Sequence, residues 1–86
     1  MFNLLNYFVM DRYYYDVIGV VSHVSNPCMI GFSMSTAKQG YALIIKGANG
    51  VNYFPACTLD KLPEIGVSYF FTIEGNTNIL TAFKPI

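Results

Sequence analysis

The sequence predicts an all-β fold, a small five-stranded Greek-key barrel with a short helical segment between its third and fourth strands. Three observations predict it. Apolar and polar residues alternate with a period of two through most of the chain, as in half-buried antiparallel strands. Turn residues interrupt that alternation roughly every 8–12 positions, the spacing of a sandwich or small barrel. The 86 residues make a single domain, near the small end of what one hydrophobic core supports.

The elements follow in order. Residues 1–13 form an apolar helix or arm, with Phe2, Leu5 and Val9 near helical spacing and Leu4 and Phe8 on an adjoining stripe. The first strand runs from Asp16 to Ser25. It sets Ile18, Val20 and Val24 against Val17, Val21 and His23, with Gly19 inside, where glycine marks a bulge or bend. "SNP" at 25–27 ends it by turn chemistry. "MIGFSMS" (29–35) places Ile30, Phe32 and Met34 on one face and smaller residues on the other. "TAKQG" then makes a hairpin loop to the third strand, "YALIIK" (41–46), and "GANG" turns into a short continuation, "VNYFPAC" (51–57). In 58–66, Thr58 or Asp60 caps a single helical turn that Pro63 limits. "VSYFFTIE" (67–74), the turn "GNTN" and "ILTAFK" (79–84) form the last hairpin.

Composition bounds the function. The chain is 53% hydrophobic and 12% charged, against about 25% charged in ordinary domains. Such a chain leaves apolar surface exposed, so a homo-oligomer or a place in a larger protein assembly is expected. Five basic residues balance five acids, which counts against duplex DNA, where phosphate neutralisation supplies much of the affinity. Single strands are held instead by stacking, and seven Tyr and seven Phe are available for it.

Cofactors and metals are not expected. Cys28 and Cys57 lack CxxC spacing, and with one His they fall short of four zinc ligands. Reduced thiols are preferred to a disulfide, which stays open. There is no GxSxG, HExxH or phosphate-cradling loop, and Asp16, Ser22 and His23 on one strand do not converge as a triad, so no enzyme is expected. The first ten residues lack a basic leader and are too short to span a bilayer. An intracellular protein of cytoplasm or nucleus, with no membrane, is expected; a viral protein in its host cell fits too.

The stretch "YDVIGVVSHV" (15–24) resembles the first strand of replication protein A-type single-strand-binding domains, in which a "D-V-I-G-x-V" phrase is frequent. Gly66-Val67-Ser68-Tyr69 is similar to that family's fourth-strand start. The element order, five strands with a helical segment between the third and fourth, is the layout of its OB-fold. The resemblance implies an OB-like barrel in which Gly19 lets a long strand curl between two sheets. It also implies a groove for single-stranded DNA or RNA on the outward face of strands 1 to 3. The chain departs from the family in having no Trp, few basic residues, and "LIIKGANG" where an "LWG" phrase is frequent.

On that reading Tyr41, Tyr53 and Phe83 are exposed stackers, Lys38 and Lys46 meet phosphates, and Val17, Val21 and His23 lie on the outward groove face, with Lys46 and either Tyr41 or Ile44 according to register. The bland alternatives are core and rim aromatics, solvated lysines and a hydrogen-bonded strand-end histidine. Tyr53 and Phe54 are neighbours, so one points in and the other out. The run Tyr13-Tyr14-Tyr15 beside Arg12 either stacks bases or docks the N-terminal segment. Two further functions compete with nucleic-acid binding: a structural subunit of a virion or complex, and a small inhibitor or adaptor protein.

Overall fold

A strand of thirteen residues organises the molecule, and its glycine is where two ladders share it. The computed structural model describes residues 6–9, 12–31, 33, 35 and 37–86. Within them lie eight strands: β1 (Asn6–Val9), β2 (Arg12–Val24), β3 (Cys28–Ile30), β4 (Lys38–Gly47), β5 (Asn52–Tyr53), β6 (Ala56–Cys57), β7 (Ser68–Glu74) and β8 (Ile79–Pro85). β2 pairs antiparallel with β7 along its first part and with β4 along its second, and both ladders include Gly19. A Cβ at Gly19 would stand 2.3 Å from the Lys46 carbonyl oxygen, so no side chain fits between the two ladders.

The remaining pairings close a barrel. β4 pairs with β6 through Tyr41↔Cys57, and β7 with β8 through Phe71↔Phe83. β6 and β8 then meet in parallel at Ala56↔Ile79 and Cys57↔Leu80. The circular order is β7-β2-β4-β6-β8. The fourth barrel strand thus lies beside the first, which is Greek-key order. β1 extends β2, β3 extends β4 and β5 adds a short pairing on β4.

The inward residues follow the pleat. Val17 and Val21 of β2, Leu43 and Ile45 of β4, and Tyr69, Phe71 and Ile73 of β7 are buried at every second position, with Cys57 and Leu80 completing the core. Val17 and Val21, expected on the outward groove face, therefore point into the barrel, because the register turns that side of the β2 pleat inward. Two bulges preserve this face, one at Ser22 in β2 and one at Thr81 in β8. After the first, Val24 rather than His23 packs against the core.

The structure corrects three expectations. Among the described residues of 28–35 the strand is β3, which pairs with the start of β4 outside the closed barrel, while Phe32 and Met34 of the expected strand lie outside the described residues. The third barrel strand comes instead from 51–57, split into β5 and β6. Pro55, buried and without an N–H, interrupts the ladder while its carbonyl accepts from Leu43 N–H at 2.9 Å. The segment 58–66 holds no helix: Leu59 and Leu62 pack against the core, and Ile65 bridges Val21. Packing and one bridge outweigh its weak helical punctuation. Of the expected N-terminal helix or arm, 6–9 is a strand and Arg12 and Tyr13 begin β2, while residues 1–5, 10 and 11 lie outside the described residues.

Candidate nucleic-acid interface

The outer face where β4, β6 and β8 meet has a floor of small side chains. Ala42 pairs with Ala56, and Ala56 with Ile79, on the face opposite Tyr41, Cys57 and Leu80. At one end Gly40 lies under Ile30 and Thr58; a Cβ there would meet the Ile30 and Thr58 side chains and the Cys57 carbonyl. Two connections flank this floor, the β3 region on one side and the 75–78 turn on the other.

Between those connections runs a groove of about 450 Å³. Ile30 and Ile79 supply apolar walls, Thr58 and Thr77 supply hydroxyls, and Gly31 leaves one side open. Arg12 and Lys38 line it as well, so two of the chain's five basic residues share one groove. No carboxylate is among its described lining residues.

The 75–78 turn is built from side-chain hydrogen bonds. Glu74 is 4% exposed, and its carboxylate accepts from Asn76 N–H at 2.5 Å and from Thr77 Oγ1 at 3.0 Å. Glu74 thus holds the Asn76 backbone and engages the Thr77 hydroxyl on the groove wall. Asn78, at φ 57°, holds a left-handed conformation that asparagine tolerates better than most residues. Its side-chain N–H donates to the Phe54 carbonyl at 2.8 Å, and its own carbonyl accepts from Ala56 N–H at 3.0 Å. The turn therefore grips the chain on both sides of Pro55. Phe54 is left 61% exposed, two residues before the Ala56 floor.

The expected site residues fall into three groups. Lys38 lines the groove, although it begins β4 rather than sitting in a hairpin loop. Lys46 and His23 are exposed on the outer face of β2 and β4, beside Val20 and Ile44 respectively, and line a different part of the surface. His23 Nδ1 lies 3.1 Å from Ser22 Oγ. Tyr41, Tyr53 and Phe83 are half-buried and packed against the core. Their ladder partners explain why: Tyr41 faces Cys57, Tyr53 faces Ile45 and Phe83 faces Phe71, all inward residues. Tyr53 accepts a hydrogen bond from Asn49 Nδ2 at 3.0 Å and lies 6.1 Å from the Tyr15 ring. Phe83 packs edge-on to Tyr69 at 5.1 Å.

Sequence reasoning passed over Phe54 as the outward member of its pair and left Arg12 without a role in the groove. The only signal for Phe54 was Pro55, whose break in the strand reverses the alternation that favours Tyr53.

Cys28 is exposed and Cys57 buried, and neither forms a disulfide. Among the described residues no three His, Cys, Asp or Glu side chains gather as metal ligands, and no helix is long and apolar enough to cross a membrane. No protein-family model matches the chain, and comparison with curated proteins and with solved structures gives no significant match either.

Proposed function

We propose that this barrel is OB-like and binds single-stranded nucleic acid, DNA or RNA, in the groove between β3 and the 75–78 turn. The observation that carries the reading is the pairing of Arg12 and Lys38 in one groove with no carboxylate among its described lining residues. In a chain with five cations and five anions, that is a local excess of positive charge where the global balance supplies none. Greek-key order, and a groove over the second and third barrel strands between their flanking loops, support the OB-like reading, since OB-folds bind oligonucleotides there. Phe54 is the stacking aromatic and Ile30 and Ile79 the apolar walls, so bases are held by their faces and no sequence is read. The protein binds and does not catalyse.

Two cations set the electrostatics. For single strands the logarithmic salt slope is about −0.7 per neutralised phosphate, so Arg12 and Lys38 together give about −1.4. The test is fluorescence anisotropy of labelled oligo-dT against a duplex control. Single-strand binding in the micromolar range, with much weaker duplex binding, supports the reading. No single-strand binding at low salt removes it.

A second reading, a subunit of a larger assembly, draws on a different surface. Ile65, Val67 and Ile86 are exposed at 59, 37 and 66%, where β7 begins and β8 ends. Exposed apolar side chains of this kind mark a protein-interaction surface. Light scattering distinguishes a self-associating chain from a monomer at micromolar concentration.

A further inference from the structure

Beyond Leu80, β8 has a strand on one side only. β6 covers it at Ile79 and Leu80, and the chain from Thr81 to Pro85 continues with β7 alone. Among the described residues no backbone hydrogen bond joins 81–85 to the facing segment 58–66. Alternate residues of a strand direct N–H and C=O to the same side, so this edge presents unmet ladder groups.

Beside that edge lies another groove, about 660 Å³. Leu59, Leu62 and Val67 form its far wall, with Tyr69 and Phe83 at its base. The wall is fixed in place. Glu64 N–H donates to Tyr69 Oη at 3.1 Å, Gly66 N–H donates to the Val21 carbonyl at 3.0 Å, and Ile65 bridges Val21. The Thr81 hydroxyl is already engaged with the Thr72 carbonyl at 3.0 Å, so what remains free on the edge is backbone. Lys61 and Glu64 are the groove's charged lining residues, one of each sign.

We propose that this groove takes an extended, uncharged, largely apolar segment of another protein as an added strand along Thr81 to Pro85. Only a peptide backbone matches a ladder edge, since it supplies donors and acceptors at strand spacing, about 4.8 Å away. Lys61 and Glu64 cancel, and the rest of the lining is mainly apolar, so a neutral segment is the electrostatic complement. Five residues at about 3.3 Å each span the open edge. A second copy's β8 fits less well. It brings its own β7 about 4.8 Å behind it, on the side where the Leu59 and Leu62 wall stands. A lone strand brings nothing behind it.

The proposal is independent of nucleic-acid binding and is tested by amide NMR on the intact chain. The probes are a terminally blocked Val-Thr-Val-Thr-Val peptide and the same peptide N-methylated at alternate residues. Before peptide is added, alternate amides of 81–84 exchange quickly with solvent. On addition of the first peptide, saturable shifts appear at Thr81 to Lys84 and at Leu59 and Leu62, and exchange in 81–84 slows. N-methylation removes about two backbone hydrogen bonds and weakens binding by about tenfold or more. Val67→Lys, which places a charge on the exposed part of the wall, weakens the first peptide while leaving the core resonances in place. Absence of shifts at millimolar peptide, shifts elsewhere on the barrel, or equal binding of the N-methylated peptide would each overturn it.

Discussion

Asn78 holds Phe54. Its side-chain amide donates to the Phe54 carbonyl at 2.8 Å while its carbonyl takes Ala56 N–H at 3.0 Å, bracketing Pro55. The β7–β8 turn and the broken third barrel strand are therefore one unit, and that unit sets which aromatic of the Tyr53-Phe54 pair faces solvent. Asn78→Gly keeps the φ of 57° but loses the side-chain bond, whereas Asn78→Ala loses both. One hydrogen bond contributes about 1 kcal/mol and a strained φ about 1 kcal/mol more. Urea unfolding is expected to rank the variants wild type, Gly, Ala in falling stability.

Tyr53 and Phe54 separate stability from binding. Phe54 is 61% exposed, so Phe54→Ala leaves the unfolding free energy within about 0.5 kcal/mol of wild type. It weakens oligo-dT by about 1–3 kcal/mol, the contribution of one stacked base. Tyr53→Ala does the reverse in kind: it removes the contact with Tyr15 and the hydrogen bond from Asn49, and it costs stability. Parallel anisotropy and denaturation curves check both.

Gly19→Ala destabilises the barrel through overpacking. The new methyl meets the Lys46 carbonyl at 2.3 Å, and that carbonyl belongs to a ladder that cannot move aside as a side chain does. The expected loss is about 3 kcal/mol, against about 1 kcal/mol for the exposed Gly50→Ala, which meets no neighbour and is opposed only by its positive φ. Thermal unfolding of the two variants gives the comparison.

Stability falls in alkali. Burial raises the Cys57 thiol above its ordinary 9.0, partly offset by a backbone hydrogen bond from Leu59. Burial likewise raises the Tyr15 phenol above 10.0, with Tyr53 and Tyr13 adding to it. Each group stays protonated in the folded chain after the unfolded chain has lost its proton. Their contributions are therefore complete below about pH 9 and are lost as pH rises through the folded values. Unfolding free energy measured from pH 8 to 11 is expected to fall, and less steeply in Cys57→Ala and Tyr15→Phe.

Much of this fold was legible because the alternation is local. The spacing of Val17, Gly19 and Val21, or of Tyr69, Phe71 and Ile73, announces which residues share a face but not which face is inward, and Val17 and Val21, expected on the groove, fill the core instead. The barrel's third strand was harder to read, because Pro55 breaks it and its two pieces acquire meaning only from partners such as Tyr41 and Ile79. The segment 58–66 misled because its helical punctuation is local, whereas the packing of Leu59 and the Ile65 bridge to Val21 are not. The stackers were misassigned for the same reason. Tyr41, Tyr53 and Phe83 take their inward direction from ladder partners distant in sequence, and a slip of one residue reverses every face. Lys38 and Arg12 share a groove only because β1–β2 and β3–β4 meet at the 75–78 turn.

The most direct measurement compares the salt dependence of oligo-dT binding for wild type and the double variant Arg12→Ala/Lys38→Ala, with Lys46→Ala as control. The account predicts a slope of about −1.4 for wild type and Lys46→Ala, and a slope near zero with markedly weaker binding for the double variant. A double variant that keeps the wild-type slope and affinity would place the strand elsewhere on the barrel and contradict the proposed groove.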